Sequence, residues 1–199
     1  GRKPNTASLK LDKAGIETDE NGFIPVDAQR KTNNDHIYAI GDLTGEPLLA
    51  HKAHQEGRIA AEAVAGEKGA AYEPKTVPAI VFTHPEIAWC GLTETQAEAE
   101  GREVRVAKFP WSASGRALTM GSSNGLTKLV IDPDSGRILG GGVAGPQAGS
   151  LIPEITLAVE MAATAEDLSL TIHPHPTLSE TIMEAAEVFL GSPTHLRKQ

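Results

Sequence analysis

The sequence predicts an α+β fold: an antiparallel sheet of about five strands with helices on one side, preceded by an incomplete α/β segment. Three observations carry this. Short apolar, β-branched runs recur between Val77 and Val143, each bounded by Pro, Gly or Asp. Two of them, at residues 126–131 and 137–143, flank Asp132-Pro133-Asp134-Ser135-Gly136, whose residue types favour a hairpin reversal. Composition also changes across residues 67–76, between an Ala/Glu/Gln-rich helical stretch and these runs.

Taken in order, residues 1–22 are rich in turn formers and short of apolar periodicity. Residues 23–26 (Phe-Ile-Pro-Val) and 37–40 (Ile-Tyr-Ala-Ile) read as short strands, the second running into Gly41-Asp42 and a loop. From Leu49 to Ala65, Ala53, Ile59, Ala60 and Val64 recur at helical spacing, and Gly66 closes the helix. Residues 77–82, 87–90 and 104–109 read as strands. Thr93-Glu94-Thr95-Gln96 is a capping pattern that starts a helix ended by Gly101. Phe109-Pro110-Trp111 leads into a packing turn and a short helix. An amphipathic helix is expected over 151–163 and a last one over 179–190. Residues 1–70 hold too few elements to close a core alone, whereas residues 71–199, with about five strands and three helices, suffice for a domain.

Composition narrows the function classes. In 199 residues, 40% hydrophobic and 22% charged is a globular balance, and 4% aromatics leaves the core to Ala, Val, Ile and Leu. A net charge of −8 repels phosphate backbones and argues against nucleic-acid binding. The single Cys90 excludes an internal disulfide, a CxxC pair and a thiolate zinc site. No apolar run approaches the roughly 20 residues of a membrane span, and no signal-peptide pattern opens the chain. Gly1-Arg2-Lys3-Pro4-Asn5 reads as the middle of a longer polypeptide, so a fragment is expected.

The densest polar cluster is His173-Pro174-His175-Pro176-Thr177-Leu178-Ser179-Glu180. Flanking prolines restrict the backbone and would aim an imidazole. Glu180 follows His175 across the turn that opens the last helix. A carboxylate there would fix the ring tautomer and raise its basicity above the usual value of about 6.5, as a general base requires. A second reading stands beside it: Thr177-Leu178-Ser179-Glu180 is also a capping box, with Glu180 accepting from the Thr177 backbone. A His-x-His metal site lacks a third ligand nearby, so no metal is expected.

The second feature is Tyr38-Ala39-Ile40-Gly41-Asp42 followed by Pro47-Leu48-Leu49-Ala50-His51. Asp42 would accept hydrogen bonds from ligand hydroxyls at a strand end. The free N–H groups of Leu49, Ala50 and His51 would face negative charge at a helix N-terminus. A plain Gly-Asp turn is the alternative. His51 and His54 read as solvated helix residues, and Cys90 as a small buried apolar residue. The Gly140–Gly145 run lacks the Lys-Ser/Thr of a phosphate loop and ends a strand instead of preceding one.

These motifs in this order resemble the carboxyl-terminal part of the dihydrolipoyl dehydrogenase family. Its members are the flavoprotein E3 components of 2-oxo acid dehydrogenase complexes, within the pyridine nucleotide-disulfide oxidoreductases. The resemblance covers essentially the whole chain. It is carried by Gly1-Arg2-Lys3-Pro4-Asn5, Ala39-Ile40-Gly41-Asp42, Leu49-Ala50-His51-Lys52-Ala53, Phe109-Pro110-Trp111 with Ser114-Gly115-Arg116-Ala117, and residues 173–180.

The resemblance implies that residues 1–70 end a FAD-binding domain and that residues 71–199 form the interface domain of a homodimer. It implies that Asp42 binds the ribityl chain of FAD, with Leu48, Leu49, Ala50 and His51 near the flavin. His175 is then the acid–base catalyst and Glu180 its orienting partner, both reaching into the partner subunit's active site. Electrons pass from dihydrolipoamide through FAD to NAD⁺. The implied partners are the lipoyl domains and the subunit-binding domain of the E2 acyltransferase, in a bacterial cytoplasm. The family's redox cysteine pair and both Gly-x-Gly-x-x-Gly fingerprints do not occur in this sequence. These residues alone are therefore expected to have no dehydrogenase activity, and weak or no FAD binding. The competing expectations are a sister flavin disulfide reductase resembling glutathione reductase, and a dimerisation module without chemistry.

Overall fold

A computed structural model describes residues 2–196, so Gly1, which opens the first motif, lies outside the described residues. The backbone divides into two units, Gly1–Pro74 and Lys75–Gln199. In the first, the one α-helix among the described residues is α1 (Ala50–Val64), accompanied by 3₁₀ turns at Ala7–Leu9, Leu11–Ala14 and Gly41–Leu43. A small apolar cluster of Ile16, Ile24 and Ala39 is joined by Leu11, Val26, Ile37 and Leu43.

The two strands expected at 23–26 and 37–40 are not strands. Both segments are extended, but they form no ladder. Pro25 has no N–H to donate, the Ile24 N–H donates to the Leu43 carbonyl (2.7 Å), and a single bridge joins Lys31 to Tyr38. Helix α1 falls where expected and ends before Gly66, whose φ of 88° takes the left-handed region. Its buried face is a surprise: Lys52, Glu56, Ile59 and Ala60 point inward while Val64 is exposed.

In the second unit, β1 (Ala79–Val81), β2 (Ile87–Gly91), β3 (Arg105–Pro110), β4 (Leu126–Ile131) and β5 (Ile138–Ala144) form one antiparallel sheet in the order β1-β2-β5-β4-β3. Alternation decides the faces: Ala88 and Cys90 of β2 point into the core and Ile87 and Trp89 point out. The glycine run ends a strand as expected, filling the second half of β5, the central one. Gly141 pairs with Leu129 on one side and Cys90 on the other. A Cβ there would lie 2.6 Å from the Lys128 carbonyl oxygen, so the close backbone approach requires glycine.

Helix α2 (Glu94–Ala99) carries both bonds of the Thr93/Gln96 capping box. It is followed by α3 (Gly115–Thr119), α4 (Ala148–Glu160), α5 (Ala165–Leu170) and α6 (Glu180–Leu190). Helix α3 is the short helix expected after Phe109-Pro110-Trp111, and α5 is one more than the sequence suggested, a turn or so long and too short for periodicity to register. Helix α5 is held by its own Thr164/Asp167 box. Helix α4 starts earlier than expected because Gln147 takes a left-handed φ of 64° at its N-cap. It packs on β2 and β5, and α6 packs on β3 and β4.

The core is alanine-rich, with Phe109, Trp111, Leu129, Ile155 and Ile182 as its bulk. Inside it, Trp111 Nε1–H donates to Thr127 Oγ1 (2.9 Å), and Thr127 lies 2.7 Å from Thr181 Oγ1. The Thr181 hydroxyl donates to the Leu178 carbonyl (2.7 Å). Its single proton is thus used, and the chain runs in one direction, Trp111 to Thr127 to Thr181 to Leu178.

Candidate functional site

The His173–Glu180 loop sends its two histidines to different partners. The His173 side chain is buried, with Nδ1 against the Thr171 carbonyl (2.8 Å) and Nε2 against Glu154 Oε1 (2.7 Å). It anchors the loop to α4. The loop is closed from within: Thr177 Oγ1 donates to the Pro174 carbonyl (2.7 Å) and sits 2.9 Å from Ser179 Oγ. The His175–Pro176 bond is cis, and His173–Pro174 is not among the cis bonds.

His175 is 70% exposed at its side chain, and its Nδ1 lies 2.9 Å from Glu180 Oε1. Glu180 is the first residue of α6, 17% exposed at its side chain, where a carboxylate suits the helix dipole. Its other oxygen, Oε2, accepts from the Thr177 N–H at 2.7 Å. Glu180 thus makes both contacts at once, one with each oxygen. The capping box is only half formed, because the Thr177 hydroxyl turns to Pro174 and Ser179 stands at the N-cap with no capping bond from its side chain to the helix. With Nδ1–H donated to a carboxylate, the Nε2 lone pair faces outward and is available to a proton.

Phe109, Ser114, His175, Glu180, Glu184 and His195 line a cavity of about 180 Å³. Glu184 and His195 form a third His–Glu pair, which sequence reading missed. Glu184, nearly buried one turn after Glu180, hydrogen-bonds His195 Nδ1 and lifts that imidazole above its ordinary range, with Glu180 and Glu187 adding to the effect. The i, i+4 spacing of Glu180 and Glu184 on one helix face was the available signal. Nothing local to His173 or His195 points to Glu154 or Glu184.

In the first unit, Asp42 lies in the Gly41–Leu43 turn, exposed and without a hydrogen-bond partner among the described residues. The start of α1 lacks a side-chain cap. The Leu49 N–H, expected to face a ligand there, donates to the Pro47 carbonyl (3.1 Å). Ala50 and His51 are exposed and Leu48 and Leu49 half-buried. An unpaired carboxylate beside an uncapped helix start fits a ligand offering hydroxyls to one and electron density to the other, which the flavin and ribityl parts of FAD supply. Beneath this turn, buried Glu56 meets Arg30 (3.0 Å) and Lys52 (3.1 Å). Cys90 is buried, which pushes its thiol up and away from reactivity. Among the described residues no three His, Cys, Asp or Glu side chains gather to hold a metal, and no helix is long and apolar enough to cross a membrane.

Comparison with known proteins bears on both units. Residues 1–57 match the model of the pyridine nucleotide-disulphide oxidoreductases. Dihydrolipoyl dehydrogenase of Haemophilus influenzae is 53% identical over 196 residues, covering 98% of this chain and 41% of that protein. The enzyme of the same name from Thermus scotoductus is 55% identical, covering 98% and 42%. The chain thus spans about two fifths of the length of the curated relatives it matches. Among solved structures, LpdA of Mycobacterium tuberculosis is similar at a TM-score of 0.86 and 35% identity, covering 94% of this chain and 41% of that one. The flavoprotein disulfide reductase RclA of Escherichia coli is similar at 0.84 and 31%, covering 92% and 42%. Residues 77–186, more than half of the chain, match the pyridine nucleotide-disulphide oxidoreductase dimerisation domain, and the chain belongs to that family.

Proposed function

We propose that this chain is the carboxyl-terminal part of a dihydrolipoyl dehydrogenase, which oxidises protein-bound dihydrolipoamide with FAD and NAD⁺. The observation that carries the reading is the His175 ring, held at Nδ1 by Glu180 and open at Nε2. It sits in a His-Pro-His-Pro-Thr-Leu-Ser-Glu motif, in a chain 53% identical to an enzyme of that name. RclA, at 31%, is the more distant relative, which favours dihydrolipoamide over another thiol substrate.

In this reading His175 Nε2 takes the proton of a dihydrolipoamide thiol: the S–H bond breaks, an N–H bond forms, and a thiolate is left. Glu180 stabilises the imidazolium that results and keeps the ring oriented, and His175 Nε2 then releases the proton to solvent, because oxidation of the dithiol by NAD⁺ liberates one proton. FAD, when bound, supplies the two-electron link between the dithiol and NAD⁺. Asp42 would accept from its ribityl hydroxyls, and the start of α1, with Leu48, Leu49, Ala50 and His51, would help to hold its flavin part. The protein is a homodimer, and His175 and Glu180 serve the active site of the partner subunit. The exposed Leu157 of α4 and Met161 just beyond it, with Leu170 at the end of α5 and Ile172 after it, support this, because that much apolar surface favours cover. The lipoyl domains and subunit-binding domain of an E2 acyltransferase are its partners, in a bacterial cytoplasm. The 199 residues alone are inactive and hold FAD weakly or not at all.

The test is His175→Gln in the full-length protein. Turnover of dihydrolipoamide should fall by about 10²–10⁴-fold with bound FAD and melting temperature retained. Normal turnover would refute the acid–base role. Light scattering should give twice the protomer mass, and a monomer would remove the shared-site arrangement.

A further inference from the structure

Three charged side chains lie under the Asp42 turn and take no part in the chemistry above. Glu56 is 0% exposed and Lys52 is buried, both on the inner face of α1, and Arg30 reaches them from the preceding loop. Arg30 bonds Glu56, and the bonds of Glu56 and Lys52 converge on one short segment. Glu56 Oε2 accepts the Gly41 N–H (2.5 Å). Lys52 Nζ donates to the Gly41 carbonyl (3.1 Å), to Thr44 Oγ1 (3.3 Å) and to the Gly45 carbonyl (3.0 Å). Thr44 Oγ1 closes the turn on the Gly41 carbonyl (2.9 Å). Both ends of the five-residue turn 41–45 are thus tied to α1 by ionised groups, while the Asp42 side chain between them is exposed and unbonded.

Charges in an interior are a poor source of stability, since well-packed apolar residues of similar size serve as well or better. They hold geometry well, because each charged bond is short, directional and strong in a dry setting. Gly41 completes the arrangement: its φ of 76° is left-handed, and a Cβ there would lie 3.1 Å from Ala53 Cβ, so the turn is pressed against α1.

We infer that Glu56, braced by Lys52 and Arg30, is a positioning residue that fixes the Asp42 carboxylate where the ribityl hydroxyls of FAD meet it. The inference rests on the flavin reading of Asp42. It assigns to Glu56 no contact with the cofactor itself.

The experiment has two arms. In the chain as it stands, Glu56→Gln should speed hydrogen exchange of the amides of residues 41–45 about tenfold, as expected for a lost charge-assisted bond, with the α1 amides beyond Ile59 unchanged. In the full-length flavoprotein the same variant should release FAD about tenfold faster. It should add nothing when Asp42→Asn is already present, because a residue acting through Asp42 cannot act once that carboxylate is gone. Thr44→Val removes one tie without unpairing a buried charge, and it decides the matter in the same two assays should Glu56→Gln fail to fold. If Asp42→Asn speeds FAD release and neither Glu56→Gln nor Thr44→Val does, or if the effects add, the positioning role is overturned and the flavin reading stands. If Asp42→Asn itself leaves FAD release unchanged, both fall.

Discussion

Glu180 gives the sharpest test of the site, because its two oxygens do separate jobs and glutamine can do only one of them. In Glu180→Gln the amide oxygen replaces Oε2 as acceptor for the Thr177 N–H, a 2.7 Å bond the loop already makes. The amide NH₂ then faces His175 Nδ1, where a 2.9 Å bond to a carboxylate existed. A donor at that place requires a lone pair on Nδ1, so the ring proton moves to Nε2, the nitrogen that must be bare to act as a base. Stability should change little, because the cap bond survives.

Turnover in the full-length enzyme should fall about 10–10²-fold, less than for His175→Gln, since the ring remains and can still exchange tautomers. Glu180→Ala loses both bonds. It should match that loss of turnover and also unfold about 1 kcal/mol sooner, from the missing cap. The tautomer is read directly from long-range ¹H–¹⁵N correlations of the His175 ring in the chain itself. A ring that keeps its proton on Nδ1 in Glu180→Gln, together with unchanged turnover, would refute the reasoning and leave Glu180 as a helix cap.

Two further outcomes are expected. Trp111→Phe keeps most of the buried ring but drops the Nε1–H bond to Thr127, leaving an acceptor in the core unpaired. Denaturant titration should show a loss of about 2–3 kcal/mol, and an unaltered midpoint would mean the bond contributes nothing. His195 is raised in the folded chain by Glu184, so its stabilising effect is complete below its unfolded value of about 6.5 and is lost as pH climbs through the higher folded value. Exchange protection of the Thr194 amide should therefore be flat in acid and decline above neutrality. In His195→Gln the decline should vanish, and its persistence would assign the pH dependence to another group.

How much of this was legible in the sequence depended on whether the deciding contact was local. Strand β4 and the Thr93 capping box are written in adjacent residues, and both form where they were expected. The His175–Glu180 contact spans five residues across one turn, close enough to raise as a reading, though by spacing alone the sequence favoured the cap. The segments at 23–26 and 37–40 have strand composition without a strand, because pairing needs a neighbour that periodicity does not reveal. On α1 the apolar spacing was real but incomplete: Lys52 and Glu56 share the inner face with Ile59 and Ala60, and a charged residue at a core position is invisible until its partner is seen. Glu154 under His173 lies 19 residues away, beyond anything spacing conveys.

Helix α6 shows why the distant contacts matter to the near ones. It carries Glu180, Glu184 and Glu187 on successive turns, an arrangement that repels itself in isolation and that the helix dipole favours only at the first of the three. Each carboxylate instead ends on donors from outside the helix. Glu180 serves His175 and Thr177, Glu184 serves His195, and Glu187 takes the Thr194 N–H and hydroxyl at 3.0 and 2.9 Å. The loop before the helix and the tail after it are thus fastened to one rod, itself seated on the sheet by Ile182, Ala185 and Ala186. The hydrogen-bond chain from Trp111 ends on Leu178, two residues before Glu180, and fastens the same corner from the core side. An imidazole 70% exposed has little packing of its own to hold it. Its aim is set by the carboxylate behind it, and that carboxylate is fixed because the helix start, the core threonines and the anchored loop leave it one position.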